Sequence, residues 1–251
     1  MKIDNKMLDI LGNSRVEDNV LYLPDIQLDR VDYTAVNKVI EMLGGKWSRK
    51  EKGHVFDHCP ADDIEAVLLA GEVVDSKKVF QFFPTPRSVA ERLCDLAEIT
   101  SESFVLEPSC GKGDLADVIW ERKPGLLFGV ELNTAMDESL KAKPYDPAVG
   151  VDFLKEDVKG YWDRIIMNPP FSNHQDIDHV LKAFDVLAPG GVLVSVMSTS
   201  PMFRTDKKSV AFREFLEENY AIVEELPEGA FKESGTMVRT CVVKIKKVNC
   251  F

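Results

Sequence analysis

A chain of 251 residues, 45% hydrophobic and 29% charged, carries enough apolar material for one large domain or a domain with a smaller appendage, and it excludes disorder. No apolar run approaches the roughly 20 residues of a membrane helix, the N-terminus lacks a signal-peptide core, and the five scattered cysteines form no CxxC pair. A cytoplasmic protein without metal is expected, and a formal charge of −11 leaves phosphate binding only to local basic runs.

Residues 1–79 read as a small N-terminal helix–hairpin–helix unit. Ala35, Val36, Val39, Ile40 and Leu43 recur at helical spacing, and Gly44-Gly45 stops that helix. Lys46-Trp47 and His54-Val55-Phe56 then frame a charged tip at Arg49–Gly53, the pattern of a β-hairpin. Pro60 and Asp62 open a short helix with Ile64, Val67, Leu68 and Leu69, closed by Gly71. Trp47 is expected in the core against Val39 and Leu43. The unit suits docking of nucleic acid or a partner protein, with Arg49, Lys50 and Lys52 facing phosphates.

Residues 80–251 alternate short apolar strands with helices, the pattern of a doubly wound, mostly parallel sheet of seven strands. Strands are predicted at 104–106, 126–130, 150–151, 164–167, 192–197, 222–226 and 240–245. Helices are predicted at 87–97, 115–121, 135–141, 177–187 and 209–218. Strands six and seven follow each other without a helix, so the last is expected to run antiparallel.

Four successive strand ends carry chemistry. The first leads into Glu107-Pro108-Ser109-Cys110-Gly111-Lys112-Gly113, whose glycines let backbone approach a ligand closely. The second ends at Glu131, about twenty residues on, where a carboxylate can take ribose hydroxyls. The third ends in Val151-Asp152-Phe153, an acceptor for an adenine amino group beside an aromatic. Together these form a nucleoside pocket. The fourth ends in Asn168-Pro169-Pro170-Phe171, where two prolines stiffen the chain and leave carbonyls unpaired between an amide and an aromatic.

Asn-Pro-Pro-Phe at this place resembles the catalytic motif of the amino-methyltransferases that act on exocyclic amines of adenine or cytosine. Glu107 to Gly113 is similar to their cofactor loop, and Phe83-Pro84-Thr85-Pro86 to their extra cofactor-contacting segment. The order of the three motifs is that of the gamma class of N6-adenine DNA methyltransferases. The resemblance covers residues 80–245 and implies a Rossmann-like methyltransferase fold with S-adenosylmethionine as cofactor. It implies that Phe83, Pro84, Thr85, Glu107, Pro108, Ser109, Gly111, Gly113, Glu131, Asp152, Phe153 and Asn168 surround the cofactor. Asn168, Pro169, Pro170 and Phe171 would handle a base flipped out of DNA. RNA adenine, a protein glutamine amide, or service as an inactive partner subunit are the alternatives.

Asn168 Oδ1 and the Pro169 carbonyl can each accept one N–H of a conjugated amine and free its lone pair for the methyl group. Arg204, Lys207 and Lys208 are a second candidate nucleic-acid cluster. A separate specificity protein or a homodimer would supply what these residues do not. His54, His58, Cys59, the pair His174 and His179, Cys110 and Ser198–Ser200 read as structural.

Overall fold

The computed structural model describes residues 3–56, 59–72, 83–158, 160–234 and 236–248. The chain divides into two compact units, one of residues 1–81 with 231–239 and one of 82–230 with 240–251. Segment 231–239, which the sequence reading leaves in the second domain, therefore packs with the first unit. There the Thr236 hydroxyl donates to the Leu68 carbonyl at 3.1 Å, and the Arg239 guanidinium donates to Asn13 Oδ1 at 2.5 Å.

The first unit contains α1 (Asn5–Gly12), β1 (Arg15–Glu17), β2 (Val20–Tyr22), α2 (Arg30–Met42), β3 (Lys46–Ser48), β4 (Gly53–Val55) and α3 (Ala61–Ala70). Its strands form one antiparallel sheet in the order β1-β2-β4-β3. The sequence reading reaches α2, the β3–β4 hairpin and α3, but α1 and the β1–β2 hairpin escape it. Three-residue strands are too short to show a period. Asp29 caps α2 by accepting from the Val31 and Asp32 amides, which sets its start five residues ahead of the apolar stripe. Trp47 is a correction: it is 51% exposed, its ring edge-on to its cross-strand partner His54 at 5.1 Å. Buried His54, bonded to Asn37 Oδ1 at 2.9 Å, takes the core place instead.

The second unit runs α4 (Arg87–Ala97), β5 (Phe104–Glu107), α5 (Asp114–Glu121), β6 (Leu126–Glu131), α6 (Asp137–Lys141), β7 (Asp146–Val149), β8 (Trp162–Met167), α7 (Gln175–Val186), β9 (Leu187–Ser198), α8 (Lys207–Glu218), β10 (Ile222–Glu225) and β11 (Thr240–Lys246). The sheet order is β10-β11-β9-β8-β5-β6-β7, with β11 antiparallel to both neighbours and the pairs from β9 to β7 parallel. This matches the expected doubly wound, seven-stranded architecture. Val105, Leu106, Ile165, Ile166, Leu193 and Val243 are fully buried, because helices cover both faces of a sheet wound this way.

One strand lies elsewhere than predicted. The third is Asp146–Val149, not 150–151, and it pairs with β6 at the sheet edge. Pro147 speaks against a strand in a sequence reading, yet an edge strand tolerates a missing N–H donor. Gly150, at φ 78°, ends the ladder, and the Gly150 and Val151 amides both donate to the Glu131 carbonyl, at 2.7 and 3.1 Å.

Candidate active site

After β5 the chain moves outward to β6 and β7, then returns to lay β8 on the other side of β5. The strand order thus reverses between β5 and β8, the place where open α/β sheets form a ligand crevice beyond their strand ends. The glycine loop leaves β5 and the Asn168 segment leaves β8, so the topology sets the two motifs on the two sides of that crevice.

On the β5 side two buried polar atoms lack partners among the described residues. Glu107 is 1% exposed, and its Oε2 and the buried Ser109 hydroxyl have no hydrogen-bond partner. Burial pushes the Glu107 carboxyl well above the carboxylate range, and the nearby charges of Asp114, Glu131 and Asp117 push it further. Gly111 and Gly113 have φ of 54° and 93°, so the loop turns where other residues are strained. The Gly111 amide donates to Glu131 Oε2 at 2.7 Å, and the other oxygen takes the Asn133 amide at 2.6 Å.

Gly113 has a neighbour that the sequence did not disclose. A Cβ there would lie 2.2 Å from the Tyr145 hydroxyl, which donates to Asp117 Oδ1 at 3.0 Å while Lys143 Nζ holds Oδ2 at 2.5 Å. The second glycine makes room for the protein's own Tyr145–Asp117 brace. Cys110 is buried, with a thiol raised by desolvation and then by Glu107 and Glu131, which fits a packing role.

Asp152 and Phe153 lie past β7 in the following turn rather than at a strand end. Asp152 Oδ1 accepts from the Leu154 amide at 3.0 Å, and Oδ2 pairs with Lys155 at 2.7 Å, the bond that chiefly lowers its carboxyl. Phe153 is 2% exposed and packs in the core, tilted against His179 at 5.8 Å. An adenine amino group at Asp152 would share Oδ2 with Lys155.

On the β8 side the nitrogen of the Asn168 amide is committed. Asn168 Nδ2 donates to the Thr85 hydroxyl at 3.1 Å and to the Phe83 carbonyl at 3.3 Å. A carbonyl only accepts, so the amide nitrogen must face this segment. Asn168 Oδ1 is left without a partner among the described residues. Phe83-Pro84-Thr85 therefore orients the amide, a contact across 83 residues that no spacing rule reveals. Pro169 is buried and Pro170 half-buried. Phe171 is buried, so a base that stacks on its face requires the ring or its cover to move.

Sequence reasoning also missed Asp176. It is buried in the first turn of α7, where its Oδ2 accepts from the Ser198 amide at 3.2 Å and the Ser198 hydroxyl at 3.1 Å. Burial raises its carboxyl to about 7. Of the second basic cluster, Arg204 pairs with Asp206 at 3.1 Å and Lys208 with Asp178 at 2.8 Å, leaving Lys207 exposed. In the first unit Arg49, Lys50 and Lys52 are all exposed at the β3–β4 turn, with Lys50 3.1 Å from Glu51. Among the described residues no trio of His, Cys, Asp or Glu could hold a metal ion, and no helix is long and apolar enough to cross a membrane.

The sheet order, with one antiparallel strand near its end and a glycine loop after the first strand, is the Rossmann-like methyltransferase fold. A type I restriction-modification methyltransferase subunit from Streptococcus thermophilus superposes with a TM-score of 0.56 at 23% identity, over 66% of this chain and 45% of that one. A dimethyladenosine transferase from Plasmodium falciparum gives 0.51 at 16% identity, over 66% of this chain and 63% of that one. In sequence, the modification methylase CviBIII of Paramecium bursaria Chlorella virus NC1A is 36% identical over 97 residues, 36% of this chain and 25% of that protein. The chain thus spans about a quarter of the length of this curated relative. No protein-family model matches the chain.

Proposed function

We propose that this chain transfers a methyl group from S-adenosylmethionine to the exocyclic N6 amine of adenine in DNA. The observation that carries the reading is the tethered Asn168 amide, its nitrogen held by Thr85 and Phe83 and its oxygen left to accept. It stands at the end of β8, across the strand-order switch from the glycine loop.

Glu107, Ser109, Gly111 and Glu131 would hold the cofactor. Its amino-acid end brings a cation to a carboxyl whose charged neighbours are all acidic, and hydrogen-bonding groups to two unpartnered buried atoms. When bound, S-adenosylmethionine supplies an electrophilic methyl on a sulfonium centre. Asn168 Oδ1 and the Pro169 carbonyl accept the two N–H of the target amine, which weakens conjugation with the ring and presents the nitrogen lone pair. This is positioning and electrostatics, with no strong base needed. Phe171, once uncovered, offers its face to the extruded base.

Arg49, Lys50 and Lys52 would meet phosphates, and a separate specificity protein or a second copy of the chain would complete target selection. The deciding experiment offers DNA, RNA and protein in parallel with labelled cofactor, followed by digestion of the products. Labelled N6-methyladenine from DNA is expected. Label in RNA alone, or in a protein glutamine, would replace this reading with the corresponding alternative.

A further inference from the structure

Phe203 has no part in the chemistry above, and its setting calls for a reason. It is 59% exposed on the loop that follows β9. Four other aromatics of this unit are comparably open among the described residues: Phe104, Trp120, Tyr161 and Tyr220. Phe104 starts β5, Trp120 lies in the last turn of α5, Tyr161 precedes β8 and Tyr220 precedes β10. Strands β5, β8, β9 and β10 all run the same way, so those four lie at the edge where strands begin. Phe203 alone among these five stands at the edge where strands end, which is also where β8 delivers Asn168 to Phe171. The β8–β9 register, Met167 opposite Ser195, brings that segment level with the last residues of β9.

The loop under Phe203 is held firmly. Asp176 Oδ2 takes both the amide and the hydroxyl of Ser198, and the Ser198 and Ser200 hydroxyls are 2.9 Å apart. The Arg213 guanidinium donates to the carbonyls of Pro201 at 2.7 Å and Arg204 at 2.8 Å, on either side of the phenyl ring's residue. The Phe203 amide donates to the Ser200 carbonyl at 3.2 Å. An apolar ring is thus presented to water from a loop held on both flanks, with exposed Thr205 and Lys207 beside it. Folding alone favours tucking such a ring in; a rigid, displayed aromatic is what stacking on a nucleobase uses, because little freedom is lost on contact.

We propose that Phe203 is a stacking wedge for the nucleic-acid strand: its ring packs on the base pair exposed when the target nucleotide leaves the duplex. This rests on the reading of the chain as a methyltransferase of a stacked base. Extrusion costs stacking energy, and an inserted aromatic returns part of it. A melted strand has no stack to fill, so the ring should matter there far less.

The test uses linearised plasmid DNA from a host without adenine methylation, as duplex and as heat-denatured, rapidly cooled single strands, with the full chain and labelled cofactor. Phe203→Ala should lower kcat/KM on duplex by about 10- to 100-fold and stay within about threefold of the parent on single strands. Phe203→Trp should keep most of the duplex rate, and both changes should leave the melting temperature nearly where it was, since the residue is more exposed than covered. Equal losses on both forms, or no loss on duplex, would overturn the wedge while leaving the methyl transfer intact. A parent protein that methylates neither form overturns the underlying reading, and the wedge falls with it.

Discussion

The two sides of the crevice are finished to different degrees. Around β5, Glu107 Oε2 and the hydroxyl of Ser109 are buried without partners among the described residues, and the charges that act on Glu107 are all of its own sign. Around β8, Asn168 is tethered by two acceptors, and buried Asp176 is satisfied by three donors, the amides of Ile177 and Ser198 and the Ser198 hydroxyl. A buried polar atom without a partner costs about 1–3 kcal/mol, so such atoms persist where a ligand supplies what is missing. Under the proposed function, the β5 side is the one that a cationic ligand completes. The β8 side reads as set in advance to act on whatever comes next.

The sharpest way to break this contrast is Asn168→Ala. The side chain touches neither Glu107 nor the glycine loop in any bond of the structure, so cofactor affinity should stay within a few-fold. Single-turnover methyl transfer should fall by about 10²-fold or more, since the lost acceptor works at the reacting nitrogen. A variant that turns over normally, or one that loses the cofactor instead, would show that Asn168 belongs to the other side.

Glu107→Gln tests the β5 side with the opposite pattern. It removes a buried charge that the free protein opposes and the cofactor favours, so affinity by calorimetry should weaken by about 10- to 100-fold, as for a hydrogen bond to a charged group. The pH signs follow. In the free protein the raised carboxyl favours its neutral form, and that stability is present below the ordinary carboxylate range and lost as pH rises through the raised value. The Gln variant should therefore melt above the parent at alkaline pH, with the gap closing on acidification. Parent affinity for the cofactor should rise with pH over the same interval, and the variant's should not.

A smaller effect separates the two roles open to Thr85. The resemblance puts it against the cofactor, whereas the structure bonds it to Asn168. Thr85→Val keeps the shape and removes the acceptor, leaving Nδ2 only the longer bond to the Phe83 carbonyl. Turnover should drop about tenfold, the worth of one hydrogen bond, with cofactor affinity unchanged and Thr85→Ser restoring the rate. A drop in affinity with normal turnover of the loaded enzyme would move Thr85 to the cofactor side.

What was legible in the sequence was local. A glycine turn, a Pro-Pro segment and a strand-ending carboxylate each declare themselves within a few residues, and so the places of Glu107–Gly113, Glu131 and Asn168–Phe171 at the ends of β5, β6 and β8 could be read directly. Contacts between distant segments could not. Nothing near Asn168 points to Thr85, and nothing near Gly113 points to Tyr145. The third strand was misplaced because Pro147 breaks a central strand but not an edge one. Trp47 was misplaced because a three-residue strand has no period to say which face is buried.

The smallest expected effect concerns charge, and it extends the contrast to the surface. The β8 side spends Arg204 on Asp206 and Lys208 on Asp178, so that cluster has less positive charge for phosphates than its sequence suggests. The β3–β4 turn keeps Arg49 and Lys52 exposed, with Lys50 paired with its neighbour Glu51. Changing all three to Gln should weaken nucleic-acid binding alike for every sequence, because phosphates carry no sequence information. It should also flatten the dependence of log affinity on log salt by roughly one unit or less per contact removed. Cofactor affinity and single-turnover rates at saturating DNA should not change. The same substitution at Arg204 and Lys208 should leave the salt slope nearly as it was, since those cations are already neutralised within the fold. If the order is reversed, with the slope falling for the second pair and not for the turn, the loop after β9 carries the phosphate contacts and the turn is only a solvated tip.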